Sequence, residues 1–254
     1  VDEWKAAIKP NTKLFFLETP SNPLGEVADL EALAELAHSI GALLVVDNSL
    51  LSPVGSQPLK HGADISVSSA TKAIDGHGRV MGGVLAGSEE LMTQVAVYCN
   101  SCGLAMSPFN AWQLLSGVET LSLRMEKQFD NALKIAQWLQ QQPQVQAVYY
   151  TGLPDHPQAE LICKQQNGGG IVIGFEVADQ EAAWKIVDGV ELFSRTANLG
   201  DVRSTITHPW TTTHGRMQPE EKLAANIRPG LVRLSVGLEY VDDLIEDLKQ
   251  VLNK

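Results

Sequence analysis

Short apolar runs alternating with helix-periodic segments constrain the fold of this 254-residue chain more than any other feature. Lys13-Leu-Phe-Phe-Leu17, Ala42–Val46, Ile65–Ser68 and Gly83–Ala86 are runs of strand length. Between the first two, Leu30, Leu33, Ala34, Ala37 and Ile40 recur at helical spacing, and Gly41 supplies a C-terminal stop. Apolar strands separated by helices predict parallel strands with covered faces. Ligands on such sheets bind at the carboxyl ends of the strands. Glu18 to Asn22, Asp47, and Ser69 to Lys72 all fall at such ends, so three separated segments are predicted to meet on one rim.

Pro108 to Gln141 reads as mostly helical, with Trp112, Leu115, Ile135 and Leu139 as core positions. Gly117 inside it costs about 1 kcal/mol against alanine. Beyond Pro143 the pattern changes. Val145–Tyr150, Ile171–Val177 and Leu231–Val236 read as strands, and Glu181–Val187 and Val241–Leu252 as helices. Val241, Leu244, Leu248, Val251 and Leu252 form one apolar stripe. The expected organisation is a larger α/β part, residues 1–122, and a smaller α+β domain, residues 123–254, with the boundary in the long helical region. No internal repeat or low-complexity segment interrupts it.

A hydrophobic content of 44% supports a substantial core and argues against disorder. A net charge of −11 leaves no basic face for nucleic acid. No run approaches the roughly 20 apolar residues of a membrane span. The start, Val1-Asp2-Glu3-Trp4-Lys5, matches neither a signal nor a transit peptide, lacks methionine and opens as if within a helix, so a segment of a longer chain is expected. Cys99 and Cys102 have the Cys-x-x-Cys spacing, but no second pair accompanies them. With Cys163 they read as reduced thiols of a cytoplasmic enzyme. His208 and His214 lack the spacing of a metal pair and are expected to be loop or structural residues, so no metal site is expected.

Four residues of the predicted rim carry chemistry. Lys72 follows a β-type run and precedes Gly76-His77-Gly78, where backbone can approach a ligand closely. A lysine held near other positive groups loses its proton more easily and becomes a nucleophile. Asp47 ends an apolar strand; a carboxylate there serves as a turn or helix cap, or as the partner of a cationic ring nitrogen. Ser69 and Thr71 are ordinary strand-end hydroxyls in isolation and, beside Lys72, candidate phosphate donors. An amine, a carboxylate and small hydroxyls on one rim are the set that holds pyridoxal phosphate (PLP). Ser69-Ala-Thr-Lys72 is also the Ser-x-x-Lys of penicillin-recognising serine hydrolases, but neither Ser-Asp-Asn nor Lys-Thr-Gly occurs in the chain. Arg233 alternates with apolar neighbours on a strand and needs an anion, either a structural carboxylate or a substrate carboxylate.

Five motifs then stand in a familiar order: Glu18-Thr-Pro-Ser-Asn-Pro23, Val45-Val-Asp-Asn48, Ser69-Ala-Thr-Lys72, Gly117-Val-Glu-Thr-Leu-Ser-Leu-Arg124 and Leu231-Val-Arg-Leu-Ser-Val-Gly-Leu-Glu239. Over essentially its whole length the chain resembles the Cys/Met-metabolism PLP-dependent enzymes, the cystathionine γ-synthase-like family. Asp75-Gly-His-Gly-Arg79, Thr196-Ala-Asn-Leu-Gly-Asp201 and Thr205-Ile-Thr-His-Pro209 lean towards its homoserine-ester sulfhydrylases. The resemblance implies an aspartate aminotransferase-like fold type I, with a mostly parallel sheet and a smaller α+β C-terminal domain. It implies Lys72 as covalent anchor and proton shuttle, Asp47 at the pyridine nitrogen, and Ser69 and Thr71 at the phosphate. Asn22 would lie near the cofactor's phenolic oxygen and the substrate carboxylate, and Arg233 would clamp that carboxylate with a contact from Asn198. It further implies a homotetramer built from dimers that share active sites, small amino-acid substrates, and sulfide as a partner. Ala73 departs from the aromatic residue that many relatives carry after the lysine, and Asn198 stands where the lyases often have serine. Family members also have an N-terminal part with a ring-stacking tyrosine and a glycine-containing phosphate loop. That part is expected to lie outside this chain.

Overall fold

The computed structural model describes residues 1–253. Lys254, the last residue of the expected second domain, lies outside the described residues. Helix α1 (Asp2–Ala7) leads into β1 (Leu14–Glu18). Helix α2 (Leu30–Ser39) starts at Asp29, whose carboxylate accepts the Ala32 N–H, and it buries Leu30, Leu33, Ala34 and Ala37 on one face. Gly41 then takes a φ of +70°, which glycine adopts without steric penalty, and turns the chain into β2 (Leu43–Asp47). Helix α3 (Ser52–Gly55), a 3-10 turn at Pro58–His61, β3 (Ile65–Ser69), a π-type turn at Ala70–Ile74 and β4 (Gly83–Gly87) follow.

The sheet order is β1-β2-β3-β4. Strands β1, β2 and β3 are parallel, whereas β4 pairs antiparallel with β3, with Ser69 opposite Gly83. The sheet is thus mostly parallel, as expected, with its one reversal at the fourth strand. A tight turn and a loop, rather than a crossover helix, link β3 to β4, and such a link reverses the chain. Phe15, Leu17, Leu44 and Val46 pack beneath α2. Side-chain alternation sends Glu18 and Asp47 to the opposite, more open face, where Leu14 and Phe16 are also exposed.

Helices α4 (Glu89–Cys102), α5 (Pro108–Glu119) and α6 (Leu121–Leu139) come next. Helix α4 buries no residue, and its Val97 and Tyr98 are exposed. Ile135 and Leu139 are core residues as expected, but Trp112 and Leu115 are 60% and 66% exposed. The buried face of α5 is instead Leu114 with Gly117. A Cβ at Gly117 would sit 2.3 Å from the Ile74 carbonyl oxygen, so the helix docks through its least bulky residue.

The rest of the chain forms β5 (Ala147–Tyr149), α7 (Ala159–Gln165), β6 (Val172–Glu176), α8 (Gln180–Gly189), β7 (Ser194–Arg195), β8 (Thr205–Thr207), α9 (Pro219–Ala224), β9 (Leu231–Ser235) and α10 (Val241–Leu252). The second sheet runs β5-β6-β9-β8-β7, antiparallel except between β7 and β8. Ile173, Phe175, Ile206, Val232 and Leu234 of this sheet pack under Ala132, Ile135 and Leu139 of α6, Ile186 of α8, and Leu244 and Leu248 of α10. Full burial of one such side chain is worth about 1.5–3 kcal/mol. Leu121 and Met125, early in α6, join Ala70, Ala73 and Ile74 in a separate cluster. One helix thus holds the Lys72 turn at its start and the second sheet along its body. Strands β7 and β8 are short and polar in sequence, which is why periodicity misses them.

Candidate active site

Strand β3 stops at Ser69, so Lys72 is not at a strand end as expected. It lies in the π-type turn with non-helical φ and ψ of −90° and −128°. The turn is closed by Asp75 N–H to Ala70 C=O at 3.0 Å and Gly76 N–H to Lys72 C=O at 2.8 Å. Thr71 Oγ1 accepts the Gly82 N–H at 3.1 Å, and Ala70 N–H donates to the Gly82 carbonyl at 2.9 Å. From α6, the buried Arg124 donates to the carbonyls of Ala73 (2.7 Å), Ile74 (3.2 Å) and Gly117 (2.7 Å). Asp75, fully buried, accepts from the Arg79 backbone at 2.8 Å and from Arg79 Nε at 3.0 Å.

The half-buried Lys72 donates from Nζ to Asn198 Oδ1 at 3.0 Å. Gly200, at φ +83°, lies so close that a Cβ there would be 2.8 Å from Ala73 N and 2.9 Å from Lys72 Cβ. Its N–H donates to Ser235 Oγ at 3.0 Å, which ties the segment to β9. Arg233, also on β9 and 3% exposed, donates from Nη2 to the Ala197 carbonyl at 2.7 Å and from Nη1 to Asn22 Oδ1 at 3.4 Å. Its buried Nε has no partner. The side chains of Lys72 and Arg233 therefore reach adjacent residues, 198 and 197.

Asp47 Oδ1 accepts the Ser49 N–H at 2.9 Å, and Ser49 Oγ accepts the Ser69 N–H at 2.7 Å. Ser49 thus links the carboxylate at the end of β2 to the end of β3. Glu18, in register with Asp47, accepts the Asn22 N–H at 3.0 Å.

Partial burial lowers the proton affinity of Lys72, and the neighbouring Arg233 charge lowers it further. Burial pulls Arg233 down to about 10, against the opposing pull of Glu18, so the guanidinium stays charged at neutral pH. Glu18 keeps solvent contact, yet the protein around it withdraws enough water to raise its carboxyl. Asp47 adds to that rise, while the Asn22 bond and Arg233 oppose it. Glu18 thus feels both Asp47 and Arg233, so the two lie in one electrostatic neighbourhood.

Sequence reasoning assigned no role to Glu18, Ser49 or Arg124. Glu18 carried the same signal as Asp47, a carboxylate ending an apolar strand. Arg124 was part of a quoted motif but had no local signal for its grip on the Lys72 turn. The carbonyls of Ala73 and Ile74 that it holds are about 50 positions away in sequence, while its remaining partners, Gly117 C=O and Thr120 Oγ1, are local. His208 is buried and donates from Nε2 to the Pro229 carbonyl at 2.7 Å, and its Nδ1 accepts from Trp184 Nε1 at 3.1 Å. Burial lowers its proton affinity, as suits a structural imidazole. Cys99, Cys102 and Cys163 are free thiols. Among the described residues no cluster of His, Cys, Asp and Glu could hold a metal, and no helix is long and apolar enough to cross a membrane.

The family model described as Cys/Met metabolism PLP-dependent enzyme matches residues 1–253. The chain belongs to this family. It is 52% identical over 250 residues to O-succinylhomoserine sulfhydrylase of Pseudomonas aeruginosa, covering 98% of this chain and 62% of that protein. It is 45% identical over 249 residues to the chloroplastic cystathionine β-lyase of Arabidopsis thaliana, covering 98% and 54%. The crystal structure of cystathionine γ-synthase from Xanthomonas oryzae pv. oryzae in complex with cystathionine superposes with a TM-score of 0.91 at 42% identity, covering 95% of this chain and 63% of that one. The chain therefore spans between about half and two thirds of the length of these relatives. The fold class expected from the motifs is borne out.

The family depends on PLP. The rim carries groups of the kind that this cofactor and an amino-acid substrate need: an amine of lowered proton affinity, a carboxylate at the end of the adjacent strand, and a buried guanidinium with a donor to spare.

Proposed function

We propose that the protein carries out a γ-replacement on an O-acylhomoserine, with O-succinylhomoserine as the favoured substrate. Sulfide is the incoming nucleophile and homocysteine the product, a step of methionine biosynthesis. The convergence of the Lys72 amine and the Arg233 guanidinium on adjacent residues, Asn198 and Ala197, carries this reading. It puts a proton-moving base beside a clamp for an amino acid's carboxylate. The 52% identity to an O-succinylhomoserine sulfhydrylase supports the finer choice of substrate and nucleophile.

When bound, PLP supplies an electron-withdrawing ring that stabilises the negative charge left on Cα after proton loss. In this reading Lys72 would anchor it covalently and would move the Cα proton. Its lowered proton affinity enlarges the neutral fraction needed for both tasks. Asn198 orients the amine. Asp47 would hold the proton of the ring nitrogen, while Ser69 and Thr71 would take the phosphate. Arg233 holds the substrate carboxylate with Asn22, and its unpartnered Nε is available as a further donor. Residues 1–122 are the C-terminal part of the cofactor-binding large domain and residues 123–254 the small domain. The whole protein is a cytoplasmic homotetramer, a dimer of dimers, without a nucleic-acid or membrane partner.

A second reading keeps the site but uses cysteine as nucleophile, favoured by the fold match to a cystathionine γ-synthase. Incubation of the PLP-loaded protein and O-succinylhomoserine with sulfide, with cysteine, and with neither separates the readings. Homocysteine with sulfide supports the first and cystathionine with cysteine the second. Release of a 2-oxo acid without added nucleophile points to a lyase. A protein that takes up PLP but turns over no homoserine ester refutes the proposal, and one that takes up none points to a silent subunit.

A further inference from the structure

Strand β9 carries Arg233 and, two residues on, Ser235, so both side chains leave the same face of the sheet. Across the β8–β9 pair Ser235 stands opposite Thr205. Both residues are buried. Ser235 Oγ accepts the Gly200 N–H at 3.0 Å, and Thr205 Oγ1 donates to the Asn198 carbonyl at 2.8 Å. The facing pair thus grips the segment Asn198–Gly200 at both ends, one hydroxyl as acceptor and the other as donor. Thr196 Oγ1 accepts the Asn198 N–H at 3.3 Å and completes the hold.

The segment lies between β7 and β8, outside either strand, so side chains must supply partners for its main-chain groups. That need alone would make the hydroxyls structural. The same segment, however, carries the amide that receives Lys72: Asn198 Oδ1 accepts from Nζ at 3.0 Å. The Gly200 backbone also lies against the Lys72 stem, where a Cβ on it would fall 2.9 Å from Lys72 Cβ. A lysine stem is flexible, so the place of its amine follows the place of its partner. The Asn198 amide is placed in turn by its main chain, which Thr205 and Thr196 fix. Arg233 reaches the adjacent residue, Ala197, at 2.7 Å. One strand, β9, therefore sets the amine and the guanidinium relative to each other.

We propose that Thr205 and Ser235 are positioning residues for the Lys72 amine, acting through the Asn198 amide. The inference rests on the reading above only in taking Lys72 as the reactive amine. The two hydroxyls bond to main-chain groups of the segment, not to the amine. A bond accepted from an amine favours its charged form, so a slack Asn198 leaves Lys72 easier to deprotonate. Arg233 of β9 acts on the amine directly, and Glu18 of β1 and Asp47 of β2 stand on the same rim. None of these three changes in the variants below.

The test is competitive acetylation of the chain by acetic anhydride across pH, read at the Lys72 peptide by mass spectrometry. The exposed Lys127 and Lys249 serve as internal standards. Hydroxylamine first strips any aldehyde from the amine, so the readout needs no cofactor. Asn198→Ala should lower the Lys72 midpoint by about half a pH unit, the net worth of one hydrogen bond. Thr205→Val, which keeps the shape and removes the donor, and Ser235→Ala should each move it the same way by about 0.2–0.5 unit. Thr205→Ser should restore the parent midpoint. In the double variant Asn198→Ala/Thr205→Val the second change should add nothing. A parent midpoint in Thr205→Val or in Ser235→Ala, or a Thr205→Val shift that persists in full without Asn198, overturns the inference. Should Thr205→Val not fold by circular dichroism, Ser235→Ala and its double variant with Asn198→Ala decide by the same comparisons. A parent chain that forms no homocysteine from O-succinylhomoserine and sulfide refutes the proposed reaction and leaves these midpoints unmoved, so the two failures are told apart.

Discussion

Replacing Arg124 with methionine tests whether the Lys72 turn is held from outside by α6. The side chain is 5% exposed and donates to three main-chain carbonyls, those of Ala73, Ile74 and Gly117. Gly117 keeps a longer bond from the Thr120 N–H at 3.4 Å, so two carbonyls bear most of the loss. A buried group left unpaired costs about 1–3 kcal/mol, which gives about 2–6 kcal/mol for the pair. Methionine retains much of the packing, and removal of a buried charge returns some desolvation energy, so the net expectation is about 2–4 kcal/mol. That is a large part of the roughly 5–15 kcal/mol that holds a domain together. Urea unfolding followed by circular dichroism reads the stability. Borohydride trapping of PLP on the Lys72 peptide reads the turn, and it should fall at urea concentrations below the global midpoint. Arg124→Lys keeps the charge but supplies a single donor centre, and should lie between the two. A Met variant within about 0.5 kcal/mol of the parent, the range of ordinary surface changes, with full trapping at Lys72 would refute the stapling argument.

Lys72→Ala should abolish PLP trapping at that peptide, and trapping that persists elsewhere at the parent level would remove Lys72 from its assigned role. Arg233→Met removes the positive charge that helps lower the Lys72 proton affinity, so that affinity should rise. At any given pH less of the amine is then neutral, and the pH profile of its reaction with PLP should move to higher pH; an unmoved profile would show that burial alone sets it. Ile135→Ala, at a fully buried core position, should cost about 2–5 kcal/mol in thermal unfolding of the chain. Trp112→Ala, on the open face of α5, should stay within about 0.5 kcal/mol, and a larger loss would restore the core role that its spacing suggested.

Much of the candidate site could be read from local pattern because its residues punctuate apolar strands. Asp47 and Ser69 end β2 and β3, and Thr71 and Lys72 follow within the next turn. Their chemistry announced itself against apolar neighbours. Asn22, Asn198 and Arg233 are different. Arg233 was conspicuous as a charge on a strand, but its contact with Asn22 crosses 211 positions of sequence, and that of Lys72 with Asn198 crosses 126. No local pattern specifies such pairings: the family resemblance placed Asn22 and Asn198 with Arg233 at the substrate carboxylate, and the contact of Asn198 with Lys72 came from the structure alone.

The stripes of α2 and α10, the stop at Gly41 and the strand character of β1 to β3 were settled by the order of residues alone, because periodicity states which face of an element shuns water. Which neighbour covers that face is a property of the assembled molecule. Tertiary structure decided that β4 runs against β3, that α5 turns Leu114 and Gly117 inward while Trp112 faces solvent, and that Arg124 grips the turn bearing Lys72. In each case the deciding energy lies in contacts between distant segments, through close backbone approach at a glycine or carbonyls awaiting a donor, and neither leaves a periodic trace along the chain.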